Sequence, residues 1–200
     1  ITENIQESQN YINSNKDLEI DNLVELLKIG NEISNKEKTT YADYLYAITL
    51  SNWADNVLNT KIKEYITQNP VTIEYSETNI TNKSVKATIK TNAEIQITNN
   101  SNSKEYVFEQ NGSFTFEYTI KGQAKQITAK VTNIDKTAPT ITGVVDGKLY
   151  TSKITPTITD ENLDTIKLIL NGEEVKNFKS GTTLTEEGFY TLTATDKAGN

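Results

Sequence analysis

Cysteine, histidine and methionine are absent from the 200 residues. Their absence excludes thiol nucleophiles, imidazole bases, Ser-His-Asp triads, disulfides and zinc sites built on thiolate or imidazole. Only carboxylate chemistry and oxygen-ligated metals remain open, and no nucleophile motif is present, so an enzyme is not expected. Arginine is missing too, since all 20 basic residues are Lys. Without a guanidinium fork or a basic cluster, nucleic acid is not an expected partner. No run of eighteen apolar residues offers a membrane span, and no basic and apolar signal segment opens the chain. It begins at Ile1 rather than Met, which reads as a piece of something longer.

What is present describes an acidic globular chain, 35% hydrophobic and 24% charged, with a formal charge of −7. The three prolines divide it. Pro70 and Pro139 each precede an alternating apolar run, where a residue that neither donates to a ladder nor continues a helix belongs, and Pro156 lies inside the last segment. Residues 1–70 hold 6 of the 30 Thr and residues 71–200 the other 24. Thr favours strands, so a boundary near Pro70 is expected. Charge follows the same division: 11 acids against 6 Lys before it, a net of −5, and 16 against 14 after it, a net of −2.

Before Pro70 the apolar spacing is helical. Ile20, Leu23, Leu26, Leu27 and Ile33 line one face, weakened near its end by Gly30. Thr40 with Asp43 forms a variant capping box ahead of Tyr41, Tyr44, Leu45 and Ile48. Ser51 or Asn52 provides a second start signal, which predicts a break and a further helix carrying Trp53, Val57, Leu58, Ile62, Tyr65 and Ile66. Residues 4–14 are a weaker candidate helix. A small helical bundle with Trp53 as a core anchor is the expected outcome for 1–69.

Beyond Pro70 the period changes to two. Val71 to Tyr75, Val85 to Ile89, Ile95 to Ile97, Tyr106 to Phe108, Phe114 to Ile120 and Ile127 to Val131 predict six short strands, the pattern of an antiparallel sandwich. After Pro139 a second set follows, carried by Ile141, Leu149, Ile154, Ile158, Ile166 to Leu170, Val175 with Phe178, and Tyr190 to Ala194. Asn171-Gly172 predicts a two-residue hairpin turn. The two sets are copies. Aligning Gly112 with Gly188 matches Phe108 to Leu184, Phe114 to Tyr190, Phe116 to Leu192, Tyr118 to Ala194 and Lys121 to Lys197. In the first copy another strand, 126–134, follows the turn. In the second the sequence reaches Asn200 where that strand is due, and the expectation is that the intact protein continues and supplies it.

Asp135-Lys-Thr-Ala-Pro139, the following Ile141 to Gly147, Pro156 to Asp160, Leu170-Asn-Gly172, Ser180-Gly-Thr, Glu187-Gly188 and Thr195-Asp-Lys-Ala-Gly-Asn200 resemble tandem bacterial immunoglobulin-like repeats. Such repeats occur in secreted and wall-attached proteins of Gram-positive bacteria. Residues 135–200 match closely and 70–134 more loosely, chiefly through Asn111-Gly-Ser-Phe-Thr-Phe116. Residues 1–69 lie outside the resemblance. It implies a sandwich fold and a spacer or adhesion role in an extended surface protein, and it carries over no catalytic residue. The first copy departs from the pattern with Lys121-Gly-Gln-Ala in place of a Lys-Ala-Gly-Asn type of turn.

The expected architecture is therefore α+β and multidomain: a helical module at 1–69, a first immunoglobulin-like sandwich at 70–136, and a second at 137–200 that lacks its last strand. The expected role is a non-catalytic structural or adhesion segment of a secreted or cell wall-attached protein. The alternative is a glycan- or host-protein-binding module, or an accessory region of a secreted glycosidase. Its first partners are other domains of the same longer chain, with a host protein or glycan as the external candidate. Tyr11, Tyr46 and Tyr150 are the aromatics whose pattern fits a binding face, set against local packing.

Asp160, Glu161 and Asp164 with Asn162 form the densest oxygen cluster, half of a calcium site if backbone carbonyls complete it. An acidic turn between strands explains the same residues through turn chemistry. Asn13, Asn15, Asp17, Glu19 and Asp21 alternate as in a dockerin-type calcium loop. However, Leu18 stands where glycine is wanted and Val24 where a carboxylate is wanted, and an acidic helix start accounts for the pattern. Asn79, Asn82, Asn99 and Asn111 head Asn-x-Ser/Thr sequons, which in a bacterial chain read as loop residues. A Lys–Asn isopeptide bond needs a Lys at an apolar-facing strand position beside an acid. None meets that pattern, and intact mass is the direct check.

Overall fold

The structure is a computed structural model that describes residues 23–24, 27–28 and 41–200. Their contacts divide the described residues into two compact units. One holds the residues up to Val71 with Thr91–Ile95 and Thr119–Ala124; the other holds Thr72–Lys90, Gln96–Tyr118 and Lys125–Asn200.

In the first unit, α1 runs unbroken over Tyr41–Gln68. The break expected at Ser51 or Asn52 is not there. No Gly or Pro lies between 41 and 68, and a cap-type residue inside a helix costs only tenths of a kcal/mol against a continuous ladder. Thr60 and Thr67 bond back instead, each donating its hydroxyl to the carbonyl four residues earlier, at 3.0 and 2.8 Å. The helix stops where Asn69 folds its own N–H and its Nδ2 onto the Tyr65 carbonyl and Pro70 follows. Its buried stripe is Ala54, Leu58 and Ile62. Leu23 joins that cluster at 0% exposure, and Leu27, Trp53, Val57 and Ile66 pack around it. Leu23, Val24, Leu27 and Lys28 are helical; otherwise the helices expected at 4–14 and 20–33 lie outside the described residues. Lys121 Nζ sits 5.0 Å from the centroid of the Tyr65 ring.

The strands after Pro70 follow the alternation closely. They are β1 Thr72–Tyr75, β2 Val85–Lys90, β3 Ile95–Ile97, β4 Glu105–Phe108, β5 Gly112–Ile120 and β6 Gln123–Val131. They form two three-stranded sheets, β1-β2-β4, which is antiparallel throughout, and β3-β5-β6. On β2 the inward residues Val85, Ala87 and Ile89 are buried and their neighbours are not. The sheets meet through side chains: Tyr106 of β4 stacks on Phe114 of β5 with centroids 3.9 Å apart, and the Lys130 N–H donates to the Tyr75 hydroxyl at 3.0 Å.

The second set comprises β7 Thr140–Thr142, β8 Thr157–Thr159, β9 Leu163–Leu170, β10 Glu173–Glu174 and β11 Tyr190–Asp196. β7 pairs with β8, and β9 lies between β10 and β11. The register repeats that of the first set. Ile73 faces Ile89 and Val85 faces Phe108; correspondingly, Ile141 faces Ile158 and Ile154 bridges Leu184. Asn171 and Gly172, both at positive φ, form the expected hairpin turn, with Leu170 facing Glu173.

Two expectations fail here. Leu149 is in no strand and is 88% exposed, because Asp146 and Gly147 turn the chain and the Lys148 N–H closes onto the Val145 carbonyl. Val175 adds one bond beyond β10, its N–H donating to the Leu168 carbonyl at 2.9 Å, but Phe178 is in no strand, because Asn177 takes a left-handed φ of 63° that ends the extended run.

Candidate functional site

The densest polar arrangement lies where the first set of strands hands over to the second. Ile134 forms a parallel bridge to Thr81. The bridge is closed by Thr81 N–H to the Asn133 carbonyl at 2.9 Å and by Asp135 N–H to the Thr81 carbonyl at 2.8 Å. Asn111 clamps the same point. Its Nδ2 donates to the Ile134 carbonyl and its Oδ1 accepts the Ile134 N–H, both at 2.8 Å. The Asn133 amide reaches the carbonyls of Glu77 and Asn79. This extended linker is therefore held by side-chain amides, which explains the many Asn better than acceptor sequons do: Asn99 likewise bonds the Thr115 carbonyl and the Glu117 N–H.

Asp135 then joins the two copies. Its Oδ1 accepts the Thr137 N–H at 3.0 Å and its Oδ2 accepts Asn162 Nδ2 at 2.7 Å, while its carbonyl accepts Asn200 Nδ2 at 2.8 Å. Asn162 is oriented in turn by its N–H on Asp160 Oδ1 at 2.7 Å, and its carbonyl takes the Lys197 N–H. Asp196, 3% exposed, is the buried charged residue of the described chain. Both its oxygens accept from Asn200, from the backbone N–H and from Nδ2, each at 2.8 Å.

Carboxylate oxygens of Asp135, Asp160 and Asp196 lie within 4.8 Å of one another. The sequence cluster of Asp160, Glu161 and Asp164 is thus divided. Asp160 joins Asp135 and Asp196, whereas Glu161 and Asp164 are exposed and outside the group. An all-oxygen set of this kind suits hard cations such as calcium. Every one of the three carboxylates is also an acceptor for a local N–H, which gives the set a structural task of its own. Sequence reasoning missed Asp135 and Asp196 as site residues because they are 25 and 36 residues from Asp160. The repeated Asp-Lys dipeptides, Asp135-Lys136 and Asp196-Lys197, were the available signal.

Burial pushes the Asp196 carboxyl up, but the Asn200 amide and the N–H groups of Asn200, Ala198 and Gly199 outweigh it and hold it below its ordinary value. Glu77 is also lowered, by the N–H groups of Asn79 and Thr78. A carboxyl depressed in the folded state stabilises above its unfolded value, and that contribution is lost as pH falls through the folded value. Stability is therefore expected to be flat at neutral pH and to fall below about pH 4. Asp196→Asn should flatten that acid limb, read as urea midpoints at pH 7 and pH 3. An unchanged acid limb would place the proton uptake elsewhere.

Among the described residues, no helix is long and apolar enough to cross a membrane. Compared with known proteins, the chain is similar to an "Outer cell wall protein" of Brevibacillus brevis, 41% identical over 66 residues. The likeness covers 33% of this chain and 7% of that protein. No protein-family model matches, and no solved structure matches.

Proposed function

We propose that the chain is a non-catalytic segment of a bacterial cell-surface or secreted protein, in which two immunoglobulin-like repeats, following a helical module at 1–69 in sequence, act as a stiff spacer. The divisions follow the sequence reading, 70–136 and 137–200. The observation that carries this is the handover at Asp135, whose side chain and carbonyl bind Asn162 and Asn200 of the second copy. A linker tied by its own residues to both copies limits their relative swing, as a spacer requires and a flexible tether does not. Similarity to an outer cell wall protein supports a cell wall or extracellular setting. Adhesion to a host protein or glycan is the second reading. The exposed Phe189 and Leu149, 76% and 88% accessible, are its support.

Spin labels at Lys86 and Lys167, both on strands with side chains 44% and 55% exposed, report the spacer property. A single narrow distance distribution is expected in the native chain. Asp135→Ala with Asn200→Ala should broaden it, because three of the junction bonds disappear together. Equally broad distributions in both proteins would remove the stiff-spacer reading. Specific, saturable binding in a glycan and matrix-protein screen would transfer the function to adhesion.

A further inference from the structure

Asparagine followed by glycine is open to self-modification, because the glycine has no side chain to shield its backbone nitrogen from the asparagine amide carbon. The chain has two such pairs, Asn111-Gly112 and Asn171-Gly172, and all four residues are exposed. Exposure therefore does not distinguish them, but their bonds do. The Asn111 amide is held at both ends, Nδ2 on the Ile134 carbonyl and Oδ1 on the Ile134 N–H, each at 2.8 Å. Gly112 is the first residue of β5. The Asn111 amide carbon cannot turn toward the Gly112 nitrogen without breaking that clamp.

The Asn171 amide is held at one end. Its Oδ1 accepts the Phe189 N–H at 2.8 Å, while among the described residues nothing accepts from Nδ2. Gly188 provides the room for it: a Cβ there would stand 2.5 Å from Nδ2 and 2.8 Å from Oδ1. Gly172 lies between β9 and β10 and in neither, so its nitrogen is not fixed in a strand ladder. The single bond also falls on the useful atom. Attack on the amide carbon builds negative charge on Oδ1, and an N–H already aimed at that oxygen stabilises it. Asn111 shares such a donor but lacks a free Nδ2, the nitrogen that must leave.

We propose that Asn171 is a site of spontaneous deamidation in the folded chain. The Gly172 backbone nitrogen gives its proton to solvent base and bonds to the Asn171 amide carbon. The bond from that carbon to Nδ2 breaks and ammonia leaves, closing a five-membered succinimide. Water then opens the ring at either carbonyl to give aspartate or isoaspartate, with no change of oxidation state. Aspartate keeps an oxygen for the Phe189 N–H and adds a negative charge just before the exposed Glu173 and Glu174. Isoaspartate lengthens the backbone by a methylene group inside the turn that joins Leu170 to its partner Glu173, and so takes β10 off β9. The inference rests on the hairpin alone, independently of the spacer reading.

Incubating the 200-residue chain at pH 8 and 37 °C, with its peptides mapped by mass over time, tests the site. Asn171 is expected to convert about tenfold faster than Asn111, the weight of roughly one additional hydrogen bond. Methylation by an isoaspartate-specific methyltransferase should mark the product at 171. In urea the clamp on Asn111 is gone and the two rates should converge. Gly172→Ala should suppress conversion at 171 and leave that at 111 unchanged. Equal rates in the folded chain, or a faster Asn111, overturn the proposal. A gap that persists in urea overturns it too, since the difference would then belong to neighbouring side chains and not to the fold. So does an Asn171 that converts in urea but stays intact in the folded chain.

Discussion

Phe116→Ala is expected to lower the unfolding free energy of the first set of strands by about 3–5 kcal/mol, the cost of removing a buried aromatic and leaving a cavity. Phe116 has no exposed surface. Its ring meets Phe114 edge-on with centroids 4.9 Å apart, and Phe114 is itself stacked on Tyr106. The substitution removes the filling of the core and the edge-on support of the Phe114 ring, which is the ring that stacks on Tyr106 of the other sheet. Against a total stability of about 5–15 kcal/mol for a domain, a loss of this size leaves a substantial unfolded population. Leu192→Ala, at the matching position of the second copy, should cost much less, because Leu192 is only half-buried. Guanidinium titrations of the two variants provide the comparison. Equal losses would mean that the second core is as closed as the first.

Gly143→Ala should destabilise the second set of strands by about 2–4 kcal/mol through backbone strain. Gly143 lies just past β7 at φ +79°, and a Cβ there would stand 2.3 Å from the Thr155 carbonyl oxygen and 3.2 Å from its carbon. Both atoms are backbone, held beside the fully buried Pro156, so the strand pair β7-β8 must open to admit a methyl group. Gly172→Ala separates the two causes. It has a comparable φ of +92° but nothing within 4 Å of the added atom, and it should cost only the left-handed penalty of about 1–2 kcal/mol. Similar midpoints for the two variants in thermal melts would contradict the clash at Thr155.

The sheets were legible because each depends on local alternation. Val85, Ala87 and Ile89 fall on one side of β2 by the two-residue period alone, and Asn171-Gly172 dictates its turn by backbone preference. The continuity of α1 was less readable. Ser51 and Asn52 have the chemistry of a helix start, but start signals act only where the ladder is already interrupted. The junction was the least legible part. Asp135, Asp160 and Asp196 meet through pairing between distant strands, and no spacing rule connects them. Glu161 and Asp164 follow Asp160 closely in sequence but stay outside the group and exposed, one in the turn between β8 and β9 and the other on β9.

The bridge between Thr81 and Ile134 is parallel, whereas β1-β2, β2-β4, β7-β8, β9-β10 and β9-β11 pair antiparallel. Tension applied along the chain toward the second copy would pull Ile134 lengthwise past Thr81 instead of peeling it away. The two backbone bonds of the bridge and the two bonds from Asn111 then lie across the pull and share the load. Such a connection yields all at once, at high force, where a peeled strand releases one bond at a time. Asn111, set in a loop 23 residues before the point it holds, is in that sense a latch on the segment that leads out of the first copy.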